Sequence, residues 1–157
     1  MNKIEIFVMN FFKSLNIFEP QQLTVELLSE KMNIPVIYWN YSSEITQYRG
    51  IYKIFINESL SKKQQWQEFG HEMAHFFLHI GDQSNMNHIF MTYQEKQAEY
   101  FAYHFCVPTF MLYGLKEVSV YDVMNLFNVE FDFALRRLEM CRNKIMNWRN
   151  YRERSYS

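Results

Sequence analysis

The chain has 157 residues, which suits one compact domain with a substantial core and leaves no room for two large ones. Sixteen basic against seventeen acidic side chains leave a formal charge of −1, so there is no basic excess of the kind that marks nucleic-acid binding. No stretch approaches the roughly eighteen uninterrupted apolar residues of a membrane span, and two distant cysteines, Cys106 and Cys141, make no disulfide framework.

The N-terminal MNKIEIFVMNFFKSLNIFEP carries no readable leader, because Glu5, Asn10 and Lys13 interrupt its apolar run; a reduced, cytoplasmic protein is expected. Within it, Ile4, Phe7, Val8, Phe11, Phe12 and Leu15 recur at helical spacing and predict a helix over residues 3–15. A short second helix starts after Thr24 and ends near Asn33, with Leu27, Leu28 and Met32 inward. Pro35 stops it and opens an extended run, Val36–Trp39. A second such run, Ile51–Ile56, follows Gly50, and the two should share a small sheet. Ser61 is placed to cap a long helix from Lys62 to about Ile80, closed by Gly81, with an apolar face of Trp66, Phe69, Met73, Phe76, Phe77 and Ile80. After a polar loop, Thr92 is expected to cap a helix that ends at Cys106, ahead of Pro108. The rest reads as helix, from Ser119 to Phe127 and from about Asp132 to Trp148, with a frayed tail YRERSYS. The fold class that results is α+β: a single helix-rich domain over 1–157, with a small antiparallel or mixed sheet beside the long helix and a C-terminal helical part.

Inside the long helix stands His71-Glu72-Met73-Ala74-His75. Histidines four apart lie one turn above each other, so two imidazoles can converge on one ion. Glu72 borders that position and can take a proton from water whose pKa zinc has lowered to about 7. The spacing is the metalloprotease pattern HExxH. A plain helix with surface histidines around an acid is the bland alternative.

Two histidines leave a catalytic zinc one protein ligand short. His79, His88, His104, Glu95 and Glu99 are candidates. The extension HExxHxxGxxH is excluded, since Leu78 and Gly81 occupy its glycine and histidine positions. From His71 to His79 the helix axis covers roughly 12 Å, too far for one ion. Glu95 and Glu99 put two carboxylates one turn apart on the next helix. The first could complete the site; the second could fix a ligand histidine through its free N–H. Against this, Thr92-Tyr93-Gln94-Glu95 is also a good capping box, in which Glu95 only satisfies a backbone N–H.

Taken together these residues resemble the ImmA/IrrE metallo-endopeptidases of bacteria and their mobile elements. The likeness runs from Ser61 and Gln64-Gln65-Trp66-x-x-Phe69 through the HExxH segment to Glu95-x-x-x-Glu99-x-Phe101-Ala102 and Pro108, and on from Asn128-Val129 to Leu138. The resemblance covers roughly residues 20–140. It implies a zincin-like fold, Zn2+ held by His71, His75 and Glu95, Glu72 as general base, and Glu99 beside a ligand. It also implies a protein substrate, a helix-turn-helix repressor of a phage or integrative element. The chain departs from the family pattern at Ala74, where glycine is usual, at Glu99, where Asn or Asp is usual, and at Gln97, where an acid is frequent.

Tyr93, His88 and His104 are candidate donors to an oxyanion, each with a structural role as the alternative. Cys106 reads as a small core hydrophobe. Ile51–Ile56 could pair with an extended substrate or be an ordinary strand. Residues 119–149 resemble a helix-turn-helix, but the second helix opens on Val129-Glu130-Phe131-Asp132, whose acids repel phosphate; packing or a protein partner is expected there, with no direct nucleic-acid contact. An endopeptidase, a non-catalytic antirepressor that acts by binding, and a DNA-binding regulator are the function classes in competition.

Overall fold

The computed structural model describes residues 1–78 and 87–155, the last ten of these (146–155) as backbone alone. His79, Ile80 and Gly81, expected to close the long helix, lie outside the described residues.

Helix α1 (Lys3–Ser14) starts on a reciprocal cap in which the Asn2 side chain accepts from the Glu5 N–H and Glu5 accepts from the Asn2 N–H. It buries Val8 and Phe12. Helix α2 (Val25–Met32) begins at Thr24, whose hydroxyl accepts from Leu27 N–H, and stops at Asn33, which takes the left-handed conformation at φ 54°.

Three strands follow: β1 (Val36–Trp39), β2 (Glu44–Tyr48) and β3 (Ile51–Asn57). Their order is β1-β3-β2, with β1 parallel to β3 and β2 antiparallel to it, so the sheet is mixed. The β2–β3 hairpin turns on Arg49 and Gly50, both at positive φ (50° and 78°), as a type I′ turn requires. Strand β2 was not anticipated, and it changes the role of its neighbour. Ile51–Asn57 is the central strand, with Ile54 and Ile56 fully buried, so its backbone is paired on both sides and it offers no edge to a substrate.

Helix α3 (Lys62–Leu78) packs against β2 and β3. It opens on a capping box: Ser61 Oγ accepts from Gln64 N–H at 3.2 Å, and Gln64 Oε1 accepts from Ser61 N–H at 3.1 Å. Helix α4 (His88–Cys106) begins at Asn87 rather than at Thr92. Asn87 Oδ1 accepts from Phe90 N–H at 3.0 Å, and Thr92, inside the helix, donates its hydroxyl to His88 O at 2.8 Å. Asparagine outranks threonine as an N-cap, and nothing in His88-Ile89-Phe90-Met91 opposes helix. The capping-box reading of Glu95 is thereby removed.

The remaining elements are α5 (Thr109–Leu112), α6 (Val120–Phe127), capped by Ser119 with Asp122, and α7 (Phe131–Ser155). Helix α7 continues into the tail expected to fray, as far as Ser155, since no glycine or proline follows Gly114 to stop it. The architecture is helix-rich α+β, as expected, with the small sheet beside α3.

The core is aromatic. The Phe105 ring touches Phe12 at 5.0 Å, Phe101 at 5.6 Å and Trp66 at 5.9 Å between centroids, joining α1, α3 and α4. A second, polar set of contacts ties α1 to α7. Buried Arg137 donates to Val107 O at 3.0 Å and to Thr109 Oγ1 at 2.7 Å; Thr109 donates to Glu5 Oε1 at 2.9 Å, and Lys144 pairs with Glu5 Oε2. Burial works against the Glu5 charge, yet the Lys144 ammonium, the Asn2 N–H and the Thr109 hydroxyl outweigh it and hold its pKa down to about 2. Among the described residues no helix is long and apolar enough to cross a membrane.

Candidate metal centre

Helix α3 has two chemically distinct sides. Trp66, Phe69 and Met73 are buried in the core, while His71 and His75, one turn apart, are only partly covered. Their Nε2 atoms stand 3.3 Å from each other. From α4, Glu95 reaches both: Oε2 lies 2.9 Å from His71 Nε2 and Oε1 lies 3.2 Å from His75 Nε2.

Three lone-pair donors from two helices therefore face one point. Four ligands at zinc distances on a tetrahedron stand about 3.4 Å apart, so separations of 2.9 to 3.3 Å differ by no more than about half an ångström. Two imidazole nitrogens and a carboxylate oxygen also suit zinc by type. The residues present fit a divalent ion, and one carboxylate oxygen of Glu72 groups with the two histidines, one ligand atom of each lying within 4.8 Å of the others.

Glu72 is buried, and its Oε2 accepts the backbone N–H of Ile45 at 2.9 Å. Burial pushes its pKa up to about 8; the Ile45 N–H works against the rise, and the carboxylates of Glu68, Glu95 and Glu44 add to it. Ile45 was missed in the sequence because its strand is short and polar, and only its pairing with Ile54 of β3 makes it a strand.

The other sequence candidates fall elsewhere. Glu99 accepts from the Tyr103 hydroxyl at 3.5 Å. Tyr93 is exposed, and its hydroxyl accepts from Gln97 Nε2 at 3.0 Å. His88 is exposed on the first turn of α4. His104 sits nine residues beyond Glu95, roughly 13 Å along the helix axis, where its buried ring packs on Tyr100 and faces Glu5. Cys106 is fully buried, which raises its pKa well above that of a free thiol and matches the reading of a core hydrophobe.

Over residues 29–139 the chain matches the IrrE N-terminal-like domain, a family of peptidases. The chain belongs to that family. Two relatives come from Bacillus subtilis (strain 168). The phage-like element PBSX protein XkdA is 34% identical over 145 residues, covering 89% of this chain and 73% of its own length. The protein YqaB is 32% identical over 147 residues, covering 90% of this chain and 86% of its own. Among solved structures, a Mycobacterium tuberculosis transcriptional regulator superposes with a TM-score of 0.64 over 88% of this chain, which spans 56% of that longer protein; at 14% identity the likeness is one of fold. Family membership points to a metallopeptidase-type function with a metal cofactor, and it does so over the residues that carry the His71-Glu72-His75 group.

Proposed function

We propose that this chain is a zinc-dependent endopeptidase that cuts a regulatory protein, a helix-turn-helix repressor of a phage or mobile element, and so releases the genes it controls. The observation that carries the reading is the meeting of His71, His75 and Glu95 at 2.9 to 3.3 Å from two separate helices. A protein in a phage-like element among the relatives supports the choice of substrate.

In this reading His71 Nε2, His75 Nε2 and a Glu95 oxygen hold the ion. When bound, zinc supplies a Lewis acid that polarises a peptide carbonyl and acidifies water. Glu72 takes the proton from the attacking water on a carboxylate oxygen and later delivers it to the leaving amine. The Ile45 N–H, turned away from β3 toward Glu72, holds that carboxylate in place. The same outward edge of β2, unlike the central strand Ile51–Asn57, can receive an extended substrate as an added strand.

The test is cleavage of the repressor encoded beside this gene by the wild-type chain, by Glu72→Gln and by chelator-treated protein. Cleavage by the wild-type chain alone is the expected result. Equal cleavage in all three removes the mechanism. Relief of repression by Glu72→Gln without cleavage points instead to an antirepressor that acts by binding.

A further inference from the structure

Gly70 stands immediately before His71, buried in the middle of α3, where glycine is the poorest helix former after proline. Packing explains its presence. A Cβ built there would stand 2.5 Å from Cys106 Sγ, 3.5 Å from Phe105 Cδ1 and 3.7 Å from Ala102 Cα, all three on α4. Ordinary contact begins at 3.4 Å, so the sulfur alone obstructs, and it does so by 0.9 Å, the difference between 3.4 and 2.5 Å. The sulfur has little freedom to retreat. Cys106 is fully buried and its thiol lies 3.5 Å from the Trp66 carbonyl, so a turn about χ1 would drive the sulfur into close-packed core.

The two partners of this contact each share a helix with part of the metal centre. Gly70 adjoins His71 on α3, and Cys106 shares α4 with Glu95. We infer that Gly70, through its close contact with Cys106, is a positioning residue for the metal centre: the missing side chain lets α4 approach α3 until the Glu95 carboxylate reaches both histidines. The inference rests on the metal-binding reading above. The 0.9 Å that an added methyl must gain at this contact is several times the spread of about 0.2 Å in metal–ligand distances.

The contact can be closed and reopened by mutation. Gly70→Ala thickens it; adding Cys106→Ala removes the sulfur, after which the nearest of the three atoms is at 3.5 Å, an ordinary contact. Zinc affinity is read by competition with a chromophoric chelator, and the thermal midpoint of the metal-free protein is read alongside. Gly70→Ala should bind zinc about ten- to a hundred-fold more weakly than wild type, the range seen when a residue that orients a ligand is lost. Cys106→Ala and the double variant should bind as wild type does. Should Gly70→Ala fail to fold, Cys106→Leu, whose side chain extends past the position of the sulfur that faces Gly70, crowds the contact from α4 and carries the same expectation. A single variant that changes the midpoint but binds zinc as wild type does overturns the inference, as does a double variant that stays as weak as Gly70→Ala. A wild-type chain that binds no zinc overturns the metal centre itself, and this inference with it.

Discussion

His104 tests how the buried polar cluster is balanced. Its side chain is 3% exposed, neither ring nitrogen meets a hydrogen-bond partner among the described residues, and Nδ1 lies 4.0 Å from Glu5 Oε1. Burial, and after it the Arg137 charge, pushes its pKa down from 6.5 to about 4 against the pull of Glu5. The folded chain thus refuses a proton that the unfolded chain accepts below pH 6.5. Stability should therefore fall as the pH drops through 6.5 and keep falling until about 4. At pH 5 the two pKa values differ in proton uptake by a factor of about 30, which is about 2 kcal/mol, whereas near pH 8 the effect vanishes. His104→Leu cannot take up the proton, and its packing cost is the same at both pH values. Relative to wild type, the variant should gain about 2 kcal/mol between pH 8 and pH 5. Urea unfolding with metal chelated measures the difference directly. A relative stability that moves by less than about 0.5 kcal/mol would refute the claim that this ring is held neutral by burial.

Glu5 has the opposite sign of dependence on its charge: its carboxylate is stabilised in the fold, so that contribution is complete above pH 4.5 and is lost as the pH falls toward about 2. Glu5→Gln should accordingly flatten the acid limb of the stability curve below pH 4.5, measured by circular dichroism. Glu95→Gln should weaken zinc binding by more than the ten- to hundred-fold typical of an outer partner, while Glu72→Gln keeps the metal and loses about 10²- to 10⁴-fold in cleavage rate; metal titration and single-turnover assays separate the two. Ile45→Pro removes the N–H that holds Glu72 without touching the β3 ladder, and proline is tolerated on an edge strand. Its expected signature is intact zinc affinity with a cleavage loss smaller than that of Glu72→Gln. Arg137→Met leaves Val107 O and Thr109 Oγ1 without their donor, which should cost about 1 to 3 kcal/mol in urea unfolding.

What could be seen in the chain beforehand was what neighbouring residues decide among themselves. The cap at Ser61 sits three residues from the N–H it accepts and stands where expected, and the helix starts expected after Thr24 and at Ser119 rest on caps just as local. The aliphatic runs of β1 and β3 are likewise visible as runs. Strand β2 is not: Glu44-Ile45-Thr46-Gln47-Tyr48 has no apolar alternation of its own, and it is a strand because β3 pairs with it across the Arg49–Gly50 turn. The start of α4 was misplaced because Asn87 and Thr92 are both competent caps and the choice between them depends on how far the helix continues upstream. Helix α7 outran its expected end because its final residues carry no stop signal.

The sequence by itself determined that His71, Glu72 and His75 belong to one helix at metal-binding spacing, because a period of 3.6 residues is a local property of the backbone. Only the tertiary structure decided that Glu95 arrives at 2.9 and 3.2 Å from those histidines, that Ile45 of an edge strand holds Glu72, and that Glu5, His104, Arg137 and Lys144 share one buried cluster. Those distances depend on how closely separate elements pack, and that approach is limited by atoms far apart in the chain, such as Gly70 and the sulfur of Cys106.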